Sequence, residues 1–320
     1  MRAYALRKLG WALLTIAFVV ALNFYLFRIL PGDPARMVKD PRLSQQAVEA
    51  IRVRYGLDQP LTMQFALYVR NLLAGDLGVS FHTQRPVDEM LLDNLWNTLL
   101  LIGAGTVLSI VLGMALGIVA AWRSRKPIDY TILVVSLVAW AAPTFWFGII
   151  LLFWGTTHLG LPIGGKLTPG ADYATVWERT VDVARHMILP TLTYTIIYAG
   201  QYTLFMRSAV LDIFSEDYIL TAKAKGLTSF QILRDHALRN AMLPTVTLVA
   251  LNLGFAVAGA IEIETVFSWP GLGLTIVDAV GRQDYPVLQG AFLLLAVSVI
   301  LANFAADILY SYLDPRIRVS

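Results

Sequence analysis

Few residues in this 320-residue chain are of types and spacings that could do covalent chemistry. There is no cysteine, which removes disulfides, thiolate-ligated zinc and iron–sulfur clusters. The four histidines, His82, His158, His186 and His236, are scattered and show no metal-ligand spacing. Gly160-Leu-Pro-Ile-Gly-Gly-Lys166 comes near a phosphate-cradling loop, but Leu167 stands at the Ser/Thr position, no strand precedes it and Pro169 follows. Nucleotide hydrolysis, if used, must therefore belong to another chain. Glu262 and Glu264 are carboxylates in an otherwise apolar run, and such groups are costly unless they face protein or water. Two residues apart on a helix they point about 200° from one another, so they are no acid–base pair. Two roles stay open for them: structural hydrogen bonding, or lining a path through the membrane together with Asn252 of the same run.

The chain is 57% hydrophobic and 15% charged, with a mean hydropathy of +0.63. A soluble domain has about 45–50% apolar and about 25% charged residues, so the elements that position these residues are membrane spans. A net charge of +3 gives nucleic-acid binding no support. Apolar runs predict an all-α polytopic protein with six transmembrane helices, near 9–30, 95–121, 130–156, 186–207, 243–267 and 287–310. The basic start (Arg2, Arg7, Lys8) resembles a secretory leader, but a run of about 20 apolar residues with no small-residue cleavage site reads as a retained span. Residues 1–30 thus form the basic segment and first helix. Residues 31–94 form a mostly helical insertion outside the bilayer, with helices expected at Ser44–Tyr55 and Leu61–Leu73. Residues 95–310 form a five-helix core that includes a polar loop at 211–242, and 311–320 form a tail. Gly113-x-x-x-Gly117 is a small-residue packing motif in the second span, and Pro143 interrupts the third. Basic residues in the short connections (Arg2, Arg7 and Lys8; Arg123, Arg125 and Lys126; Lys223, Lys225, Arg234 and Arg239; Arg316 and Arg318) fall on one side of six spans. That bias predicts cytoplasmic termini and a cytoplasmic 211–242 loop.

That loop is patterned as two short helices. Ser215 is suited to cap the first, and Glu216 and Asp217 place negative charge in its first turn. Tyr218-Ile-Leu-Thr-Ala-Lys-Ala-Lys225 is mostly helix-forming, and Gly226 stands where a left-handed C-cap belongs. Thr228-Ser-Phe-Gln231 reads as a capping box that opens a second helix, with Phe230, Leu233, Ala237 and Leu238 at helical spacing. A solvated connection between spans is one reading of this unit; a docking element for a soluble partner is the other.

The run Tyr218-x-x-Thr-Ala-Lys-Ala-Lys-Gly-Leu227 resembles the cytoplasmic coupling loop of ABC importer permeases, in the version of the dipeptide/oligopeptide/nickel family (the oligopeptide-permease B-type subunit). Against the general EAA pattern of such loops, only Ala222, Gly226 and Leu238 match, with Leu220 at the consensus Glu. Phe267-Ser-Trp-Pro-Gly-Leu-Gly273, Asp284-Tyr-Pro-Val-Leu-Gln-Gly290, and the Leu30–Pro34 and Gly75–Phe81 phrases extend the likeness over essentially the whole chain. The resemblance implies a type I ABC importer permease with an extracytoplasmic helical insertion after the first span. It implies as partners a homologous permease, two cytoplasmic ATPases that bind the ATP and Mg, and an extracytoplasmic substrate-binding protein, in a bacterial or archaeal inner membrane. The chain itself needs no cofactor and is no enzyme. The residues meeting an ATPase would be Glu216, Asp217, Tyr218, Thr221, Ala222, Lys223, Ala224, Lys225, Gly226 and Leu227. Di- or oligopeptides are the expected cargo; nickel complexes and oligosaccharides are carried by other members of the family. An ion-driven secondary transporter would require two symmetric halves and charges near the midplane, and the chain shows no convincing repeat.

Overall fold

A computed structural model describes residues 2–29, 59–238, 240–242, 249 and 261–313. Among these residues the regular structure is helical, with one isolated bridge between Val79 and Pro86 and no strand. In chain order the helices are α1 (Arg2–Ile29), α2 (Leu61–Leu73), α3 (Val87–Trp122), α4 (Pro127–Ala141), α5 (Thr144–Leu159), α6 (Val176–Phe214), α7 (Asp217–Ala224), α8 (Ser229–Ile232), α9 (Ile261–Val266), α10 (Leu272–Arg282) and α11 (Tyr285–Leu313). A π-helical turn, Leu233–Ala237, continues α8.

Among the described residues, three helices are long and apolar enough to cross a membrane: Ala5–Arg28, Val87–Trp122 and Tyr285–Ala305. They correspond to the first, second and sixth expected spans. The expected third span is broken: α4 and α5 together would make a fourth crossing, but they bend by 103°. Pro143 explains the break. It has no N–H to donate and pushes the preceding residue out of helical space, and Ala142 is extended at φ −69°, ψ 134°. The expected fourth span falls within the 39-residue α6, which is not one of the described helices long and apolar enough to cross a membrane; it runs through Pro190 and carries buried Thr191, Thr193, Thr195 and Thr203. Most of the fifth expected span, with Asn252, lies outside the described residues, as do the helix expected at Ser44–Tyr55 and the tail from 314. The expected Leu61–Leu73 helix is α2, with the same bounds.

The chain divides into two compact units, 1–98 with 270–320, and 99–269. In the first, α1 packs along α11, α2 on α1, and α10 on α11. Phe27, Val87, Leu91, Leu272, Ile276 and Val287 fill its core. Lys8 pairs with Asp307 at 2.8 Å, which ties the basic N-terminal turn to the sixth expected span. A polar knot holds two of the sequence phrases together. The Asp284 carboxylate accepts from Ser80 Oγ (2.6 Å) and from the backbone N–H groups of Phe81 (3.2 Å) and His82 (3.3 Å). Nearby, Asn97 donates to the Pro270 carbonyl and Thr98 Oγ1 accepts from the Leu272 N–H, each at 2.8 Å.

In the second unit α4, α5 and α9 pack against α6. Leu101, Ile102, Leu189, Tyr194, Ile263, Phe267 and Trp269 form one core cluster. Here the Gly113-x-x-x-Gly117 motif is used. A Cβ on Gly113 would lie 2.6 Å from the Ala199 carbonyl oxygen, and one on Gly117 2.7 Å from that of Thr203. The missing side chains let α3 and α6 meet backbone to backbone, as helix packing in lipid favours.

Candidate functional site

The polar stretch that follows α6, up to Met242, has its own small core and a separate outer face. α6 continues to Phe214, so Ser215 is spent on ending it: its Oγ donates to the Asp212 carbonyl at 2.6 Å. The residue capping α7 is therefore Glu216, extended at φ −74°, ψ 145° and making no side-chain cap bond. Ser215 is thus not the N-cap that its residue type suggested, because the preceding helix reaches it first.

α7 ends in a Schellman motif. Gly226 has φ +81°, its N–H donates to the Lys223 carbonyl (2.9 Å), and the Leu227 N–H donates to that of Ala222 (3.3 Å). Leu227 then packs beside buried Ile219, Ala222 and Ile232, supplying the apolar contact that accompanies such caps. The capping box of α8 is present in both directions: the Gln231 N–H donates to Thr228 Oγ1 (3.3 Å), and the Thr228 N–H donates to Gln231 Oε1 (2.9 Å). Past α8, Leu233, Ala237 and Ala241 seat on Ala121 of α3 and on Met206, Ala209 and Val210 of α6. Asn240 Nδ2 donates to the Tyr218 hydroxyl at 2.9 Å, so the returning chain also braces α7. The aromatic ring of Phe230 meets Trp122 with centroids 6.0 Å apart.

These contacts sort the sequence candidates. Ala222 points into the loop, 5% exposed, and supports α7 from behind. Glu216, Asp217, Tyr218, Thr221, Lys223, Ala224, Lys225 and Gly226 are exposed, and Leu227 is half-buried. Leu220, 58% exposed, joins that face; an apolar residue where the general pattern has Glu is the signal that could have identified it. A Cβ on Gly226 would meet nothing within 4 Å, so only its φ restricts substitution. Gly226→Val should therefore cost the loop on the order of 1 kcal/mol or more, and Gly226→Asn less, since Asn tolerates the left-handed region. Limited proteolysis of the 211–242 loop checks this: faster cleavage is expected in the Val variant, and equal rates in Val, Asn and wild type would refute the cap.

The two acidic candidates separate as the helical angle requires. On α9, Glu264 is buried and Glu262 exposed, and the Glu264 carbonyl accepts from the Trp269 N–H at 2.8 Å. Asn252 lies outside the described residues. The Gly160–Lys166 stretch is an irregular connection: Gly160 ends α5 in left-handed geometry and the Gly165 N–H donates to the Phe267 carbonyl at 3.0 Å. Beyond it, Asp182 accepts from the Thr168 N–H (2.7 Å) and hydroxyl (2.8 Å) and from the Tyr173 hydroxyl (2.6 Å). Desolvation pushes this carboxyl up, but those donors and nearby His186 outweigh it and hold it at about 2. These bonds fold the connection around the Asp182 carboxylate.

Sequence reasoning identified neither the Lys8–Asp307 pair nor a second, more deeply buried one. Asp129, in the first turn of α4, receives Arg207 of α6 through Nε (2.6 Å) and an Nη (2.8 Å). Opposite charges at the same end of two expected spans were the available clue.

Comparison with known proteins agrees with this architecture. Residues 113–319 match the family model of the binding-protein-dependent transport system inner membrane component, and residues 1–102 match the N-terminal model of such membrane components. The chain is 39% identical to the glutathione transport system permease protein GsiC of Salmonella choleraesuis and to that of Escherichia coli O6:H1, over 99% of each chain. It is 37% identical to a peptide permease protein of Brucella suis biovar 1 over 100% of both. Among solved structures, a chain of the MetNI methionine ABC transporter in an inward-facing conformation aligns with a TM-score of 0.56 and 18% identity, covering 70% of this chain and 96% of that one. The chain belongs to the binding-protein-dependent transport system inner membrane components, as an ABC importer permease of the peptide and oligopeptide family.

Proposed function

We propose that this chain forms half of the translocation pathway of an importer for di- or oligopeptides, and that α7 is the helix through which a cytoplasmic ATPase drives it. In this reading six spans cross the inner membrane with both termini cytoplasmic, and a second permease completes the pathway. An extracytoplasmic binding protein delivers the peptide, and two ATPases bind and hydrolyse ATP with Mg. The relatives named for peptides and for glutathione, itself a tripeptide, support that cargo. Glu262, Glu264 and Asn252 are candidates for the path. The permease moves cargo by exchanging inward-open and outward-open states, and ATP binding in the partners biases that exchange.

One observation carries the assignment of α7. The helix is braced from inside by Ile219, Ala222, Ile232 and a Schellman turn, yet it presents Tyr218, Leu220, Thr221, Lys223 and Ala224 to solvent. A loop that only joined two spans would need neither this internal core nor an outward leucine. The test is Ala224→Trp and Leu220→Glu in the assembled importer in proteoliposomes. Added bulk in a filled groove costs about 1–3 kcal/mol, or roughly five- to 150-fold in the docked population. Uptake and substrate-stimulated ATP hydrolysis should fall together, while peptide affinity of the binding protein stays unchanged. Normal uptake and hydrolysis in both variants would reduce the loop to a solvated connection. Ala222→Trp is unsuitable for this purpose, because it overpacks the loop's own core.

A further inference from the structure

The Asp129–Arg207 pair is built more exactingly than stability alone would require. The Asp129 side chain is 1% exposed and that of Arg207 21%. Both carboxylate oxygens are engaged by the guanidinium, at 2.6 and 2.8 Å, and Oδ2 also accepts the backbone N–H of Arg125 at 2.9 Å. Burying an ion pair forfeits hydration on both sides, so it adds little net stability over well-packed apolar residues. What a bidentate fork does supply is orientation, which a point-charge lysine or an apolar pair cannot.

Its location says what is being oriented. Arg125 lies in the four-residue connection between α3 and α4 and is held at φ +61°, a left-handed conformation that side chains other than glycine rarely adopt. Asp129 fastens that strained turn from the α4 side. Arg207 sits two helical turns before the end of α6, beside Met206, Ala209 and Val210, which form the seat for Leu233, Ala237 and Ala241 of the cytoplasmic loop. Ala121, just before the turn, belongs to the same seat. α4 also approaches α6 closely higher up, where a Cβ on Gly200 would strike the Ser136 carbonyl oxygen and the Trp140 Cβ. The pair therefore joins the α3–α4 turn to the stretch of α6 on which the loop rests, at the base of the broken α4–α5 pair.

We propose that Asp129 and Arg207 are positioning residues of this permease: their buried fork makes the α3–α4 turn and the lower end of α6 one rigid seat for Leu233, Ala237 and Ala241, the stretch that braces the docking helix through Asn240 and Tyr218, so that movement of α7 reaches the broken α4–α5 pair. This rests on the reading of α7 as the ATPase-coupling helix. Without the fork, the turn at Arg125 relaxes and α7 moves without carrying α4. ATP is then hydrolysed with little cargo moved.

The experiment compares Asp129→Asn, Arg207→Lys and the double variant Asp129→Asn/Arg207→Gln with Leu220→Glu on the docking face, all in the full importer in proteoliposomes. The primary readout is peptide taken up per ATP hydrolysed, normalised to assembled complex. A merely structural role lowers the amount of complex and leaves that ratio unchanged; the positioning role lowers the ratio severalfold, with the double variant no worse than Asp129→Asn. Because the chain has no cysteine, Ser124→Cys and Ser229→Cys, the latter exposed and outside the docking face, can carry a spin-label pair. Its distance distribution should be narrow in the otherwise unaltered protein and broad in Asp129→Asn. Arg207→Lys keeps the charge without the fork, and so reads out geometry even if Asp129→Asn assembles poorly. If Leu220→Glu transports normally, the docking reading itself fails. If Leu220→Glu impairs transport while the Asp129 and Arg207 variants keep the wild-type ratio and the narrow distribution, the clamp alone is refuted.

Discussion

Replacing Asp284 by Ala should strip the first unit of its main polar anchor and sharply reduce the amount of folded permease. Asp284 is 3% exposed, and its carboxylate gathers three donors, the Ser80 hydroxyl and the N–H groups of Phe81 and His82. Ser80 is fully buried and in turn accepts the Thr83 N–H at 2.9 Å, so the knot sets the whole bend from Ser80 to Thr83. Leaving a buried donor without its acceptor costs about 1–3 kcal/mol, more where the lost partner was charged. Three donors released together therefore cost about 3–5 kcal/mol even if water reaches the two amides. Asp284→Asn keeps one acceptor oxygen but turns an NH2 toward a neighbouring donor, and should fall between Ala and wild type. The thermal midpoint of the purified importer and the amount of subunit in the membrane measure the effect. A wild-type midpoint for Asp284→Ala would show that the knot is dispensable.

The contrast between this knot and the cytoplasmic loop explains what can be read from the amino-acid sequence. The Schellman turn at Gly226 and the capping box at Thr228 are requirements of the backbone within three or four residues, so they are legible in residue type and order. The break at Pro143 follows equally from one residue's missing N–H. Ser215 misled because two helices compete for it, and only the length of α6 decides which one it serves. Ala222 misled because an alanine suits both a tight groove and a tight core. The Asp284–Ser80 and Asp129–Arg207 contacts join residues 204 and 78 positions apart, with no local pattern announcing either. The phrases around Ser80 and Asp284 were visible as phrases, and the fold shows that they are halves of one feature. For Glu262 and Glu264 the helical angle told that they diverge, but not which of them lies inside; that depends on how α9 packs on α5 and α6.

Gly113→Leu and Gly117→Leu should each separate α3 from α6 and abolish transport, whereas Gly103→Ala in the same helix should be harmless. All three glycines sit on α3, and intrinsic helix propensity alone would favour replacing any of them, by about 1 kcal/mol for Ala over Gly. What differs is the space. Around Gly103 a Cβ would meet nothing within 4 Å. At Gly113 it would lie 2.6 Å from both the Ala199 carbonyl oxygen and the Tyr202 Cβ, and at Gly117 it would lie 2.7 Å from the Thr203 carbonyl oxygen and 2.8 Å from the Met206 Cβ. Backbone atoms cannot rotate aside as a side chain can, so relief requires moving a whole helix. Overpacking of this kind costs about 1–3 kcal/mol for a side chain that can adjust, and the rigid contact puts these sites at or beyond the upper end. The displacement would also disturb Met206, which forms part of the seat of the cytoplasmic loop, so hydrolysis should lose its stimulation by cargo along with uptake. The decisive comparison is the amount of assembled importer and its uptake in the three variants side by side. Should Gly117→Leu behave like Gly103→Ala, α3 and α6 do not approach this closely, and the seat for Leu233, Ala237 and Ala241 behind the docking helix must be built in another way.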